Sequence, residues 1–374
     1  MRLGPLYKIL EWVLLMKIHY LVTSLETGGA EFAIPDIVTT LKNLGHDVSI
    51  IACEPRDRGA VPRLVAAGLS YRLLASRRRF LPIILASYLS IIRQDRPDII
   101  WTSLSFGNLV GQCAGKLLNI PVVSFKHSAS VRRYTYRLRN SSALWIGDSQ
   151  TVVDYLQQQM GIPADKVMAW PLFQYDQHAP QARYWDGESR LQIGSVGRLH
   201  EVKQYAALID ALGTFLARYP TLRNRLQLTI LGDGPERERL EDKVIQWNLQ
   251  DIVLLPGFSD QVHSFMAGLH LYVQPSRYEG MCLALHEAMN VGLPVMATPV
   301  GEMRDAVQAG KTGFVLAGEL DVALASALQQ IFATPSVLQE YGRQARRYVA
   351  TKFSHQQFVQ AAEQIVARLP TTTH

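Results

Sequence analysis

Cysteine is scarce in this chain of 374 residues: there are three, Cys53, Cys113 and Cys282, odd in number and far apart. A disulfide framework is excluded and the spacing matches no metal-ligand pattern, so reduced thiols in a cytosolic setting are expected. Long hydrophobic runs are missing too. No segment reaches the roughly 18 apolar residues of a transmembrane helix, and the apolar stretch 80–92 is short enough to pack or to lie in an interface. Residues 1–16 hold a short hydrophobic patch interrupted by Glu11, with no small-residue cleavage site, and are not read as a signal peptide. Residues 1–15 are expected to be an extension ahead of the first strand, or a surface-binding helix. There is no internal repeat, no low-complexity tract, no Asp-x-Asp and no Gly-x-Gly-x-x-Gly. The last absence argues against a nicotinamide oxidoreductase.

What is present is an ordinary globular composition, 48% hydrophobic and 19% charged, long enough for two cores of usual domain size. Apolar, strand-like runs alternate with helical patterns in both halves, which predicts α/β layers on parallel sheets. Strands are expected to begin near Lys17, Asp47, Tyr71, Asp98, Pro121 and Ala143, then near Leu191, Leu226, Asp251, Leu269, Pro294 and Gly313. Residues 171–189 are rich in turn formers and carry no period, and are expected to link a domain over 16–170 to one over 190–353. A last helix is expected from Ser354 to Leu369.

Charge is unevenly divided. Residues 1–170 carry 20 Lys plus Arg against 12 Asp plus Glu, and the remainder 18 against 20, which gives the net +6. Two basic clusters stand out, Arg77-Arg78-Arg79-Phe80 and Arg132-Arg133-Tyr134-Thr135-Tyr136-Arg137-Leu138-Arg139. Such patches attract anionic membranes, polyanions or nucleic acid, although a solvated helix face is the default.

The segment from Ser276 to Met289 carries two carboxylates, Glu279 and Glu287, eight positions apart. An apolar strand ends at Pro275-Ser276, and helical spacing runs from Met281 to Val291, so Glu279 precedes a helix and Glu287 lies within it. Eight helical residues would rise about 12 Å, the span of a sugar, a diphosphate and a ribose. The free amides around Gly280, Met281 and Cys282 would sit at the positive end of the helix dipole, where phosphate binds. One capping and one exposed Glu is the plain alternative.

Arg198 and Lys203 follow an apolar strand broken at Gly197, and paired cations at the mouth of a helix can neutralise a departing diphosphate. Either alone reads as a surface charge. Gly28-Gly29 lies between the first strand and first helix, expected over 30–44, as a phosphate cradle or a simple turn. His127 would project from the carboxyl end of a strand, where open α/β sheets place ligands, or it packs. Gly232-Asp233-Gly234-Pro235 is a turn that structure alone explains. Backbone groups near Gly257 and Phe258 could meet a base edge, or form only a strand-to-helix turn.

These motifs, in this order from about Lys17 to about Phe358, resemble the retaining glycosyltransferases of family 4, which have the GT-B architecture of two Rossmann-like domains facing across a cleft. The resemblance implies that Glu279 contacts sugar hydroxyls, Glu287 holds the nucleotide ribose, and Arg198 and Lys203 hold the diphosphate. It implies further that Gly28 and Gly29 face the diphosphate and acceptor, with Glu31 beside them. His127 would contact the transferred sugar, and the loop at Gly257 and Phe258 would receive the nucleobase. The first domain would bind acceptor, the second donor, and the last helix would cross back onto the first domain. The chain departs from the family pattern at Glu302, where a second glycine is usual, at Gln204, often Gly or Asn, and at His286, expected to pack.

The expected function is therefore transfer of a hexosyl or N-acetylhexosaminyl group, with retention, from a nucleotide sugar to a glycan or lipid-linked acceptor in cell-surface polysaccharide or glycolipid synthesis. UDP-sugars are favoured as donors, with GDP-sugars the alternative. No cofactor, metal or nucleic acid is expected. A peripheral position on the cytoplasmic face of an anionic membrane is. Two other readings are an epimerase or hydrolase on the same scaffold, and a non-catalytic protein that binds nucleotide sugar or membrane.

Overall fold

The computed structural model describes residues 15–130 and 133–370. Residues 1–14 of the expected extension and Arg132 of the second basic cluster lie outside them. Of the described residues, those through Trp170 and those from Val359 onward form one compact unit, and Pro171–Phe358 forms the other.

The first unit is built on seven parallel strands: β1 (Lys17–Val22), β2 (Asp47–Ala52), β3 (Tyr71–Leu73), β4 (Ile99–Ser103), β5 (Val122–Lys126), β6 (Leu144–Gly147) and β7 (Val167–Ala169). Their order is β3-β2-β1-β4-β5-β6-β7, all in parallel register, for example Ile18 opposite both Val48 and Ile99. The central strands are buried on both faces, which is why they read as unbroken apolar runs. Strand β7 has only three residues, Val-Met-Ala, too short to show a period, and the sequence reading missed it.

The second unit repeats the plan with six strands: β8 (Leu191–Val196), β9 (Leu226–Leu231), β10 (Val253–Gly257), β11 (Leu271–Gln274), β12 (Val295–Ala297) and β13 (Gly313–Val315). The order is β10-β9-β8-β11-β12-β13. Leu191, Ile193, Leu228, Ile230, Leu271 and Val273 form its core with Leu208, Leu212 and Phe215 of the helix Tyr205–Arg218. In both sheets the strand order reverses beside the first strand, at β1/β4 and at β8/β11, and the carboxyl ends at such a switch point are where α/β sheets hold ligands.

Three details depart from expectation. The first helix is split into Gly29–Phe32 and Ile34–Asn43, because Pro35 has no N–H to donate to the carbonyl four residues back. The segment 171–189 has no regular element, but it is bonded to the second unit through Tyr175 N–H to Phe353 O (2.7 Å) and Ala182 N–H to Val291 O (2.7 Å). Trp185 joins that unit's core. Strand β10 runs through Pro256 to Gly257, which an edge strand with an irregular register accommodates. The last helix is His355–Val366. No helix among the described residues is long and apolar enough to cross a membrane.

Candidate active site

In the second unit, the carboxyl ends of β8 and β11 are joined by a chain of polar side chains. Tyr272 OH lies 2.8 Å from Gln274 Oε1, and Gln274 Nε2 donates to Ser276 Oγ at 2.8 Å. Ser276 Oγ donates to Glu279 Oε1 at 2.6 Å, and Lys203 Nζ donates to the same oxygen at 2.7 Å. Gln274 and Ser276 are fully buried. A carboxylate held by a hydroxyl and an ammonium has a fixed orientation, and its second oxygen, Oε2, is left for other partners. Burial opposes the charge on Lys203, but its neighbours, Glu279 foremost, together outweigh it and hold the ammonium above the usual lysine range.

Lys203 closes a short 3-10 turn, Glu201–Lys203, after the break at Gly197. A Cβ at Gly197 would sit 2.8 Å from Tyr205 OH and 3.4 Å from Lys203 Cε, so the glycine lets the Lys203 stem lie against the strand end. Arg198 follows directly, exposed, with no ion-pair partner among the described residues. Gln204 has φ 54°, in the left-handed region. That explains the family's preference for Gly or Asn there and marks modest strain in this chain.

After Glu279, Gly280, Met281 and Cys282 lead into the helix Leu283–Asn290. No backbone carbonyl among the described residues accepts from the N–H of these three. The Met281 side chain is turned into the interior, where its Sδ accepts from Phe173 N–H at 3.4 Å. Burial pushes the Cys282 thiol up to about 12, so it is no nucleophile at neutral pH. Only the backbone of these residues can serve an anion. Because the helix begins at Leu283, its rise up to Glu287 is about 6 Å, half of what eight helical residues would span. Glu287 is half-buried. His286 is fully buried, brought down to about 4 by burial and packed against Phe173 and Phe353.

The loop at the missing second glycine explains itself. Gly301 has φ 57°, and a Cβ there would lie 2.5 Å from Gly280 O, so it must stay glycine. Glu302 has φ −65°, a conformation any residue adopts. Its N–H donates to Gly280 O at 2.9 Å, and its buried carboxylate takes Lys352 Nζ at 2.5 Å. Elsewhere in this unit, Gly257 has φ 95° and its carbonyl accepts from Gly232 N–H at 2.8 Å. Phe258 stands 60% exposed beside it. The turn at Asp233 and Gly234 is a brace, with Leu199 N–H donating to Asp233 O at 2.9 Å.

In the first unit, Gly28 caps the short helix Gly29–Phe32 with extended backbone, and a Cβ on it would strike Glu31 Oε2. Glu31 is buried, which pushes its carboxyl up to about 7. His127 follows β5 with Nε2 2.7 Å from Ser103 Oγ. The structure thus brings Lys203 and Glu279 into contact; Gly280 follows Glu279 directly, and Arg198 lies five positions before Lys203. Glu287 lies further along the same helix. Gly28, Gly29 and His127 lie in the other unit. The sequence reading missed Tyr272, Gln274 and Ser276, whose one signal is polarity at the end of an apolar strand.

The family model described as Glycosyl transferases group 1 matches residues 185–348, and that described as Glycosyltransferase Family 4 matches residues 27–173. The chain belongs to the group 1, family 4 type of GT-B glycosyltransferases. Arg198, Lys203, Glu279 and Glu287 fall within the first match, and Gly28, Gly29 and His127 within the second. The chain is 39% identical over 119 residues to EpsF of Bacillus subtilis, named as a glycosyltransferase, covering 31% of this chain and 30% of EpsF. It is 33% identical over 175 residues to WcaL of Salmonella typhimurium, named as a colanic acid biosynthesis glycosyltransferase, covering 44% and 42%. It thus spans less than half the length of these curated relatives. HepE of Anabaena, solved in complex with UDP and glucose, shares the fold at TM-score 0.82 and 19% identity, covering 95% of this chain and 100% of HepE.

Proposed function

We propose that this member of the family is a retaining, metal-independent glycosyltransferase that moves a hexosyl or N-acetylhexosaminyl group from a nucleotide sugar, with UDP-sugars favoured, to a glycan or lipid-linked acceptor. The observation that carries the reading is the Lys203–Glu279 contact beside the free amides of Gly280, Met281 and Cys282. It supports a reading in which a fixed cation and a helix start meet the diphosphate as it gains charge, and a held carboxylate accepts from a sugar hydroxyl. Arg198 supplies a second, unpaired cation. Glu287 is assigned to the ribose, Phe258 and the Gly257 backbone to the base, and Gly28, Gly29 and His127 to the diphosphate and sugar.

In the proposed reaction the bond from the anomeric carbon to the diphosphate oxygen breaks, and a bond from the acceptor oxygen forms on the same face. The acceptor proton passes to the departing diphosphate, so no side chain serves as general base. The products are an α-glycoside and a nucleoside diphosphate. The Lys203 ammonium, the Arg198 guanidinium and the helix start supply the charge stabilisation that a metal ion supplies elsewhere.

The UDP in HepE and the colanic acid pathway in WcaL's name favour a UDP-sugar donor and a polysaccharide acceptor. Exposed Arg77, Arg78 and Phe80 favour a peripheral position on the cytoplasmic face of an anionic membrane. The reading is tested by thermal stabilisation of the purified chain with UDP-, GDP- and ADP-sugars, followed by product analysis. Release of free or epimerised sugar without acceptor would assign the chain to hydrolysis or epimerisation instead. Stabilisation without any single-turnover product would make it a binding protein.

A further inference from the structure

At the carboxyl end of the first sheet, two strands each present one polar side chain to a ring that follows the strand between them. Strand β4 ends in Ser103, His127 follows β5 and Asp148 follows β6. Ser103 Oγ is 2.7 Å from His127 Nε2, and Asp148 Oδ2 is 3.6 Å from His127 Nδ1. The His127 and Asp148 side chains are only 10% and 5% exposed. The ring lies against Phe125, with centroids 4.5 Å apart. The imidazole therefore has a hydroxyl at one nitrogen, a carboxylate near the other and an apolar wall on one face.

That environment selects one tautomer. With the proton on Nδ1, the N–H dipole points at the Asp148 carboxylate and Nε2 accepts from Ser103. With the proton on Nε2, the Nδ1 lone pair would face the carboxylate in a buried setting, where repulsion is poorly screened. Nδ1 is buried with no hydrogen-bond partner at ordinary distance, and the Asp148 carboxylate is the acceptor near it.

We propose that Asp148, with Ser103 opposite, is the positioning residue for His127: it keeps the proton on Nδ1 and presents Nε2 as the edge that meets a substrate hydroxyl. Ser103 holds that place until the hydroxyl arrives. The inference rests on the reading that His127 faces the transferred sugar. Asp148 faces a second charged group, Lys126 at the end of β5. The Lys126 Nζ donates to the Ser130 carbonyl, and burial draws it down to about 8 against the pull of Asp148.

The test is nuclear magnetic resonance of the full chain labelled with ¹³C and ¹⁵N in histidine, without donor, so it needs no turnover. In the native chain His127 is expected in the Nδ1–H tautomer. Asp148→Asn should raise the share of the Nε2–H tautomer, and Asp148→Glu should restore Nδ1–H. An Nε2–H tautomer in the native chain, or an unchanged tautomer share in Asp148→Asn, overturns the proposal. Should Asp148→Asn fail to fold, Ser103→Ala decides: it must retain the Nδ1–H tautomer, and losing it overturns the assignment to Asp148. Failure of the chain to bind any UDP-, GDP- or ADP-sugar would instead sink the proposed function and leave these tautomer assignments intact.

Discussion

Lys203 Nζ and Glu279 Oε1 meet at 2.7 Å across 76 positions of sequence, with Ser276 Oγ on the same carboxylate oxygen at 2.6 Å. The contact turns two charges that separately read as surface residues into one oriented unit. Arg198→Ala, which removes the unpaired cation, is expected to lower kcat/KM about a hundredfold or more, the usual loss when one charge-stabilising donor disappears. Glu279→Ala should lower kcat and also release Lys203 from its partner. Steady-state kinetics with a UDP-sugar check both, and near-native turnover in either variant would refute the assigned roles.

The Lys352–Glu302 pair predicts an asymmetry. Lys352 is 40% exposed while Glu302 is 4% exposed. Lys352→Met takes the cation from a buried carboxylate and is expected to cost about 2 kcal/mol. Glu302→Gln leaves a lysine that can turn to water, and should cost clearly less. Urea unfolding of the two variants checks the order, and equal losses would contradict it.

Glu31 makes stability depend on pH. Its carboxyl is held at about 7 in the fold by burial, above the ordinary value of an unfolded chain. The native state therefore binds more protons than the unfolded state between those values, and stability falls as pH rises through that window. Glu31→Gln should remove this fall, so its melting temperature should exceed that of the native chain at pH 8 by more than at pH 5. Parallel temperature curves at the two pH values would contradict the burial argument.

The φ of 54° at Gln204 offers a stabilising change. Gln204→Gly relieves left-handed strain of about 1 kcal/mol, partly offset by the greater freedom of glycine in the unfolded chain. A small rise in melting temperature is expected, and a fall would mean that the side chain has a role of its own.

Arg77, Arg78 and Phe80 precede the helix Leu81–Asp95, and Phe80 is 84% exposed with Ile83 48% exposed one turn on. Loss of each arginine should weaken binding to vesicles containing phosphatidylserine about fivefold, at about 1 kcal/mol per basic residue. Co-sedimentation of Arg77→Ser, Arg78→Ser and Phe80→Ser variants checks this. Equal binding to neutral vesicles would argue against an electrostatic surface.

The strand pattern was readable along the chain because parallel strands buried on both faces leave unbroken apolar runs, and the twelve expected strand starts fall within two residues of those observed. Gly197, Arg198 and Lys203, and Glu279 with its helix, were readable as local motifs because each is set by a strand end and the turn that follows. Strand β7 escaped because three residues show no period. The split at Ala33 was signalled by Pro35 and passed over.

The linear order of residues determined the elements, their parallel arrangement and the candidate anion-binding turns, since these follow from periodicity and turn chemistry over a few neighbours. Only the tertiary structure decided that Lys203 grips Glu279, that Gln274 and Ser276 orient that carboxylate, that Lys352 takes up the Glu302 charge, and that Ser103 and Asp148 flank His127. Lys203–Glu279 and the Ser103–His127–Asp148 group join the ends of different strands, and Lys352–Glu302 joins the end of the helix Ser336–Lys352 to the loop after β12. Strand order and packing, which bring these residues together, are properties of the folded chain and leave no trace in local sequence.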